Sequence, residues 1–272
     1  MDRLGIAAAD PSNGMPLAWN PRRSGAPAGT TAWGTTIPVI WRGTDGIYVG
    51  QNSDGLGNEY HGRFGMFPLA GGRNVPAIQA PTAATGFLWS GGTAGKLKRT
   101  AFNGTTLGAS TTVNQANLTS VGAATRAGDK LYWDKGGKFA ISTVAKTGVV
   151  GVPWHTGYNN WYGASAMQGA FYLNGRIYYT KTTSQSLFYR YLEPDGHIVG
   201  ATEFTVPTTG ITWSTARGLT WVNGKIVYGA TDGKLRAVPF DPTAAVAANG
   251  TGIKVVDNGT TWKSKTLYFA AS

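Results

Sequence analysis

The sequence contains no cysteine among its 272 residues. Disulfide bonds, a thiol nucleophile and a thiolate metal site are therefore excluded. Histidine is also scarce, and His61, His155 and His197 lack the close ligand spacing of a zinc site. No Gly-rich phosphate loop precedes a helical pattern. We therefore predict no metal and no cofactor.

Acidic residues are few, since 13 aspartates and glutamates face 24 lysines and arginines, for a formal net charge of +11. A field of this sign attracts anionic polymers such as acidic glycans or cell-wall phosphates. The basic residues form short scattered runs, at Arg22-Arg23 and from Lys96 to Arg99, instead of a nucleic-acid motif. We predict a glycan, an anionic cell-wall polymer or a protein as partner, and no specific nucleic acid. The alternative is that the charge only keeps the outer strands soluble.

Long apolar runs are absent as well. None reaches the roughly 18 residues that a membrane helix needs, so no membrane span is predicted. Only 14% of the residues are charged, a composition that favours a secreted or particle-borne β protein over a cytosolic enzyme. The composition therefore predicts an extracellular, surface-displayed or particle-borne protein.

Most of the carboxylates lie in turn signals, beside glycine or proline, where aspartate caps the backbone. This group comprises Asp10, Asp45, Asp129, Asp195, Asp232 and Asp241. A glycoside hydrolase needs a pair of carboxylates converging on one site. Asp54, Glu59 and Asp134 remain as candidates, but no recurrent motif surrounds them. We predict no catalytic residue and no enzymatic activity, with a hydrolase as the minor alternative.

The stretch from Trp213 to Pro242 carries three strand signals joined by two tight-turn signals. Its segments ARGLTWV, KIVYGAT and KLRAVPF are rich in β-branched and aromatic residues. Asn223-Gly224 and Asp232-Gly233 are dipeptides that two-residue hairpins favour. The pattern predicts a three-stranded meander. Such a unit needs similar neighbours because it leaves two edges open.

The central strand of this meander recurs along the chain as a trio of apolar or aromatic residues. The copies are Ile47-Tyr48-Val49, Phe87-Leu88-Trp89, Leu131-Tyr132-Trp133, Ile177-Tyr178-Tyr179, Ile226-Val227-Tyr228 and Leu267-Tyr268-Phe269. A further strand signal follows the first five copies. Repeats about 40 to 50 residues apart are typical of propeller blades. We predict an all-β fold, a six-bladed β-propeller forming a single domain over residues 1–272, with five blades as the alternative.

The last central strand has no strand signal after it, but the N-terminus begins with a matching segment. TLYFAAS continued into DRLGIAAADP resembles KIVYGATDGKLRAVPFDP. We predict a blade shared by the N- and C-terminal strands, in which Leu267 to Ala271 pairs with Leu4 to Ala8 and closes the ring. The second blade lacks a clear inner strand, because only Pro81 to Thr85 precede its central strand. Either a neighbouring segment fills that place or the strand is abbreviated.

Tryptophans lie in the loops that lead into the innermost strands, where a propeller opens onto its channel. They are Trp33, Trp161 and Trp213, and the polar residues near them are Arg42, Tyr158 and Arg217. Flat apolar rings at a channel mouth suit sugar rings or the side chains of a partner. The alternative is that these tryptophans pack between adjacent blades.

The longest insertion, QNSDGLGNEYHGRFG, follows the first central strand. Insertions in repeat arrays often carry function, so Tyr60, His61 and Arg63 are further candidate ligand-binding residues. The alternative for this segment is a solvated hairpin tip.

Asp10-Pro11-Ser12-Asn13-Gly14 followed by Leu17-Ala18-Trp19-Asn20-Pro21 resembles a strand and turn of β-propeller repeats in secreted or surface proteins of actinobacteria. The segments from Glu59 and from Leu173 are similar to the final propeller segments of those proteins, and to segments in minor tail proteins of phages that infect actinobacteria. The resemblance implies a non-enzymatic surface or tail module and brings no catalytic residues. We predict a recognition or adhesion module, monomeric within a larger protein or assembly. The alternatives are a phage minor tail protein and a glycoside hydrolase.

Overall fold

The structure, a computed structural model, describes residues 6, 8–17, 23–24, 37, 39–44, 46–51, 55–56, 59–60, 64–68, 85–120, 122–145, 147–153, 155–158, 164–193, 198–199 and 203–271. The chain divides into a smaller unit, 1–76 with 195–198, and a larger unit, 77–194 with 199–272. The prediction of a single domain over residues 1–272 stays a prediction. Strands dominate both units, and the described residues contain no α-helix. Short 3-10 turns lie at Ala164–Ala166, Trp213–Thr215 and Gly250–Gly252.

The described part of the larger unit contains four antiparallel sheets, numbered I to IV, each with a run of four strands. Their strands are Leu267–Ala271, Gly86–Thr93, Lys96–Phe102 and Leu107–Asn114 in sheet I; Ala124–Ala127, Lys130–Lys135, Lys138–Thr143 and His155–Tyr158 in sheet II; Met167–Leu173, Arg176–Lys181, Leu187–Glu193 and Phe204–Val206 in sheet III; and Ala216–Val222, Lys225–Ala230, Leu235–Pro239 and Lys254–Asp257 in sheet IV. Thr208–Thr209 and Ala248–Asn249 form a short parallel pair, and Ile198–Val199 is a further short strand.

Burial decreases from the first strand of a sheet to the last. Every residue of Met167–Leu173, the first strand of sheet III, is buried, whereas Leu107–Asn114, the last strand of sheet I, is mostly exposed. Strands buried on both faces need near-continuous apolar runs, which explains why the aromatic trios recur. The first and second strands of each sheet therefore carry most of the core.

The four sheets pack in a cyclic order. The first strand of each sheet contacts the first strands of its two neighbours. One apolar cluster lies between each adjacent pair of sheets. Its members include Trp89 and Trp133 between sheets I and II, Tyr132 and Tyr179 between II and III, Tyr178 and Tyr228 between III and IV, and Val227 and Phe269 between IV and I. Burial of large apolar side chains between sheets is the main source of stability in this unit.

The C-terminal strand closes this cycle. Leu267–Ala271 pairs antiparallel with the strand that begins at Gly86, so that Leu267 lies opposite Ser90 and Ala271 opposite Gly86. Gly86 permits the close approach, because a Cβ atom there would lie 2.8 Å from the Cα atom of Ala271. The end of the chain is therefore the first strand of sheet I.

The predicted pairing of Leu267–Ala271 with Leu4 to Ala8 stays a prediction, whereas the predicted central place of this strand in its sheet is not found in the part of the chain that the structure describes. Among the described residues it is the end strand of sheet I, and Leu4, Gly5 and Ala7 lie outside the described residues. Inner and central strands are both buried on two faces, so they share one apolar pattern and the sequence alone does not separate them. The second predicted blade lacked an inner strand. Leu267–Ala271 takes that place, because it pairs with the strand that begins at Gly86.

The other five aromatic trios are central or second strands of their sheets, as predicted. The Asn223-Gly224 hairpin is also confirmed, with φ angles of 43° and 77° that suit a type I′ turn. Asp232-Gly233 is not a two-residue hairpin, because the flanking strands end at Ala230 and resume at Leu235. The carboxylate of Asp232 instead accepts hydrogen bonds from Lys234 and Arg236, which suit a longer connection.

The smaller unit contains a three-stranded antiparallel sheet, here called the aromatic sheet. Its strands are Val39–Arg42, Gly46–Gly50 and Phe64–Pro68. A second small sheet joins Arg23–Ser24, Gly55–Leu56 and Glu59–Tyr60. One face of the aromatic sheet holds Val49 in a small core with Ile6, against which Ile37, Ile47 and Phe67 also pack. No helical segment among the described residues is long and apolar enough to cross a membrane.

Candidate functional site

The opposite face of the aromatic sheet carries three aromatic rings in a row, which we call the aromatic surface. Trp41 and Tyr48 are direct cross-strand partners, with ring centroids 5.3 Å apart. Tyr48 in turn stacks on Phe64 of the third strand, with centroids 6.1 Å apart. Because side chains alternate across a strand, these rings lie away from the face that holds Val49.

The aromatic surface is open to solvent. Trp41 is 61% exposed and Phe64 is 58% exposed, values that are high for side chains of this size. Val39, two residues before Trp41 on the same face of this edge strand, is exposed too. Clusters of exposed apolar side chains on a folded protein mark interaction sites more often than chance. This cluster is therefore the strongest candidate binding surface in the smaller unit.

Gly43 lies beside these rings and sets their position. A Cβ atom on this residue would lie 2.8 Å from Cε2 of Tyr48 and 3.1 Å from Cζ3 of Trp41. Glycine is therefore needed for the two rings to lie over the turn that follows the edge strand. Arg42, a predicted site residue, is exposed next to Trp41 in that strand.

A second candidate lies in the larger unit, where sheets IV and I meet. Here Arg217 lines a small cleft, which we call the Arg217 cleft. The other residues of the cleft include Ser90, Gly229, Trp262, Ser264 and Thr266. The Nη1 atom of Arg217 donates to the carbonyl oxygens of Ser214, at 3.1 Å, and Ala216, at 2.7 Å. Burial lowers the pKa of the Arg217 guanidinium, and no carboxylate pairs with it in the described structure.

Trp213 packs inside the larger unit and is not available to a ligand. It is 0% exposed, and its Nε1 atom donates to Oγ1 of Thr208 at 2.9 Å. Its ring lies 5.5 Å from that of Tyr228, in the cluster between sheets III and IV. The prediction of a ligand-binding Trp213 is thus corrected in favour of the packing alternative. A tryptophan in the loop before an inner strand can pack against a neighbouring sheet as readily as it can face a channel.

The remaining predicted site residues are not brought together by the described structure. Trp33, His61, Arg63 and Trp161 lie outside the described residues. Tyr60 and Tyr158 lie in short strands at Glu59–Tyr60 and His155–Tyr158, and only their backbone is described. Trp41, Tyr48 and Phe64 were missed, because in the sequence they are ordinary members of predicted strands. The signal that could have found Trp41 is the run of three apolar or aromatic residues from Val39 to Trp41, next to a turn.

Several carboxylates accept hydrogen bonds from backbone N–H groups. Asp134, a candidate for catalysis, accepts a hydrogen bond from the backbone N–H of Gly137 at 2.7 Å. Asp10 and Asp241 accept from backbone N–H groups two residues later, as the turn signals predict. Asp54 lies outside the described residues, and the side chain of Glu59 is not described. The described residues contain no group of three His, Cys, Asp or Glu side chains that could hold a metal.

The most tightly bonded ionisable cluster was not anticipated from the sequence. Glu203 accepts from Tyr179 at 2.5 Å and from Lys181 at 2.7 Å, and Arg190 donates to the Tyr179 hydroxyl at 3.0 Å. Burial raises the pKa of Glu203, but the hydrogen bonds from Lys181 and Tyr179 outweigh this effect and lower the pKa overall. Burial also raises the pKa of Tyr179. Because its members satisfy one another, the cluster stabilises sheet III and offers no free acid.

No protein-family model matches the chain, and no curated protein matches it. Solved structures with some similarity include the glutaminyl cyclase of Myxococcus xanthus, with 14% identity over 71% of this chain and 91% of that chain, at a TM-score of 0.39. A putative 6-phosphogluconolactonase from Bacteroides uniformis has 16% identity, with 80% and 65% of the two chains covered and a TM-score of 0.31. A nidogen/laminin complex has 11% identity, with 88% and 99% covered and a TM-score of 0.34. At these identities and TM-scores the similarities carry no argument about the fold. The description of the fold therefore depends on the strand pairing given above.

Proposed function

We propose that this chain is a non-catalytic recognition module that binds a glycan through the aromatic surface. The observation that carries the proposal is the exposure of Trp41 and Phe64 on either side of Tyr48, on a sheet whose other face is packed. Rings that are held in a row by a sheet are already ordered before a ligand arrives. Binding therefore costs little side-chain entropy.

The chemistry of the surface suits sugar rings. Aromatic faces stack on flat apolar surfaces, and the C–H faces of sugars are such surfaces. Arg42 follows Trp41 in the strand, but it pairs with Ile47 and so lies on the opposite face, which leaves the rings to carry the contact. The net charge of +11 favours glycans or cell-wall polymers that carry negative charge.

In this proposal the larger unit is a scaffold without a glycan-binding role. Its four sheets in cyclic order support a four-bladed β-propeller, instead of the six or five blades that the repeat count predicts. Closure by the C-terminal strand leaves outer strands such as Leu107–Asn114 as the open edges. Such closure limits edge-to-edge aggregation, which suits a module displayed outside the cell.

We further propose that the module is displayed at a cell surface or on a virion tail. Its low charged fraction of 14% supports display. A phage minor tail protein is one form of this proposal, in which the aromatic surface contacts the glycans of the host cell.

The test is a glycan array together with purified bacterial cell-wall fractions. We expect the protein to bind a subset of glycans and Trp41→Ala to weaken that binding about tenfold or more, because a stacked ring is removed. Val152→Ala is the matched control, since Val152 is also an exposed apolar residue but lies in the larger unit. Failure to bind any glycan or wall fraction contradicts the proposal, and so does equal binding by Trp41→Ala. Circular dichroism establishes that each variant is folded.

A further inference from the structure

The outer strand of sheet I, Leu107–Asn114, is an open sheet edge with little of the usual protection. It is eight residues long, mostly exposed, and contains no charged residue and no proline. In the described structure it pairs on one side only, with Lys96–Phe102. An open edge of this kind is a template for another strand, and proteins usually blunt such an edge by shortening it or by adding a charge, a proline or a bulge.

The outer strands of the other three sheets carry such protection. The outer strand of sheet III, Phe204–Val206, has three residues and is followed by Pro207. The outer strand of sheet II, His155–Tyr158, has four residues and a register shift in its pairing. The outer strand of sheet IV, Lys254–Asp257, has four residues with a charge at each end. Of these four outer strands, Leu107–Asn114 is the longest and the least protected.

The direction of the backbone groups in this strand follows from its last hydrogen bond. The N–H of Gln115 donates to the carbonyl oxygen of Gly95 at 2.7 Å, toward the neighbouring strand. The register shift of this pairing lies before Ser110, and the pairing from there to Asn114 is regular. Because backbone groups alternate in direction along an antiparallel pair, every second residue before Gln115 faces the neighbour and the others face outward. The outward-facing residues are Ser110, Thr112 and Asn114, each with an N–H and a C=O group.

Two lysines lie behind this edge, in the neighbouring strand. Lys96 is opposite Asn114 and Lys98 is opposite Thr112, so both lysines share a face of the sheet with these residues, and both are exposed. Strands are about 4.8 Å apart, so a strand added at the edge would lie about 10 Å from the strand of the lysines. A lysine and a glutamate can meet across that distance over the short side chain of Thr112, because the lysine stem is long and flexible.

The charge selects which kind of strand fits the edge. An acidic segment would gain from the two lysines and from the net charge of +11. A second copy of this chain would bring a second net charge of +11 and its own lysines to the seam, which is unfavourable. The open edge thus provides the hydrogen-bonding groups, and charge complementarity favours an acidic partner.

We propose that Leu107–Asn114 binds an extended acidic peptide segment of another protein, which pairs antiparallel as an additional strand of sheet I. Backbone hydrogen bonds hold the segment, and acidic side chains that face Lys96 and Lys98 make the edge selective. This edge belongs to the larger unit, whereas the aromatic surface belongs to the smaller one. Trp41→Ala is therefore expected to leave peptide binding unchanged, and failure of one proposal does not imply failure of the other.

The experiment is a fluorescence-anisotropy titration of the full chain against a labelled peptide that alternates glutamate and valine and is as long as the edge. We expect saturable binding. Glutamates that lie opposite Thr112 and Asn114 direct their own N–H groups at the edge, whereas the valines direct theirs away. N-methylation of the glutamates should therefore weaken binding about tenfold or more, because it removes the pairing hydrogen bonds. N-methylation of the valines is the matched control and should leave binding unchanged.

Two variants of the chain test the edge from its own side. Thr112→Pro removes an outward N–H and leaves the hydrogen bonds to Lys96–Phe102 in place. Thr112→Glu, a change at an exposed position, places a negative charge at the edge. Each is expected to weaken binding of the glutamate–valine peptide about tenfold or more. Val255→Glu is the matched control and should bind as the wild type does, since it makes the same change of charge at an exposed residue in the outer strand of sheet IV.

Three results of the titration would overturn the proposal. They are the absence of saturable binding, equal binding of the two N-methylated peptides, and equal binding by Thr112→Glu and Val255→Glu. Size-exclusion chromatography with light scattering provides a further check on the free chain. A dimer that dissociates in Thr112→Glu would also overturn the proposal, because a second copy would then occupy the edge.

Discussion

Tyr268 lies directly opposite Trp89 in the strand pairing that closes the larger unit, and their rings stack with centroids 6.1 Å apart and planes 4° from parallel. The Tyr268 hydroxyl also donates to the carbonyl oxygen of Gly148 at 3.2 Å. Gly148 belongs to the connection between the third and fourth strands of sheet II. Tyr268 therefore joins two strands of sheet I and connects that sheet with its neighbour.

Tyr268→Ala should destabilise the larger unit by about 4 kcal/mol, because it removes a fully buried aromatic ring and leaves a cavity beside Trp89. Tyr268→Phe is the control. It keeps the ring and loses only the hydrogen bond to Gly148, for about 1 kcal/mol. Urea denaturation followed by circular dichroism measures both values. A cost for Tyr268→Ala as small as that for Tyr268→Phe would contradict the assignment of this strand to the core.

Gln115 and Tyr268 are expected to be energetically coupled, because they share one acceptor. Nε2 of Gln115 donates to the carbonyl oxygen of Gly148 at 3.1 Å, and its Oε1 accepts from the N–H of Val150 at 2.9 Å. In Gln115→Met or in Tyr268→Phe alone, the Gly148 carbonyl keeps one donor. The double variant leaves that buried carbonyl without a donor.

The double variant should therefore lose about 1 kcal/mol more than the sum of the two single losses. A double-mutant cycle in urea measures this coupling. Additive losses, within about 0.3 kcal/mol, would show that the two side chains act separately.

The Glu203 cluster predicts an acid-labile larger unit. Hydrogen bonds from Lys181 and Tyr179 hold the pKa of Glu203 below its ordinary value of 4.5, in spite of the opposing effect of burial. Since the pKa is lower in the folded state, the contribution to stability is complete above pH 4.5 and is lost as the pH falls through the folded-state pKa.

The urea concentration at the midpoint of unfolding, measured at several pH values between 7 and 3, tests this expectation. Glu203→Gln should be less stable than the wild type at pH 7, and the difference should shrink as the pH falls below 4.5. Asp129→Asn is the control, because Asp129 is exposed and only contacts Lys130 at 3.4 Å. A difference between the wild type and Glu203→Gln that does not vary with pH would rule out the proposed linkage.

Much of the strand pattern could be predicted from the sequence, because local patterns determine it. Alternating or continuous apolar runs and Asn-Gly turns are local signals, and they placed the central strands at Tyr48, Leu88, Tyr132, Tyr178 and Val227 correctly. The partner of Leu267–Ala271 was not predictable in this way. It is selected by a long-range closure, and the apolar pattern of the strand fits an inner or a central place equally well.

The candidate sites were harder to predict than the fold. Trp41 and Trp213 are both aromatic residues next to strand signals, yet one is 61% exposed and the other is 0% exposed. The difference arises from what covers each sheet face, which depends on packing between sheets that are distant in the chain. Arg217 was predicted from its position near Trp213, and the structure gives it a different setting, in a cleft between sheets IV and I.

Trp213→Phe should destabilise the larger unit and leave ligand binding unchanged. The variant keeps an aromatic ring against Tyr228 but loses the larger volume of the indole and its hydrogen bond to Thr208. We expect a cost of about 1 to 3 kcal/mol in urea denaturation. Glycan binding that is lost in a folded Trp213→Phe would contradict the packing role.

Gly43→Ala provides a test of the aromatic surface that removes no aromatic ring. A Cβ atom at this position would lie 2.8 Å from the Tyr48 ring and 3.1 Å from the Trp41 ring, so one or both rings must shift. We expect changed tryptophan fluorescence and glycan binding weakened about tenfold, because the row of rings loses its alignment. Gly92→Ala is the matched control, since Gly92 lies in the larger unit and its Cβ atom would meet nothing within 4 Å. Equal binding by the two variants would contradict the role of the aligned row of rings in glycan binding.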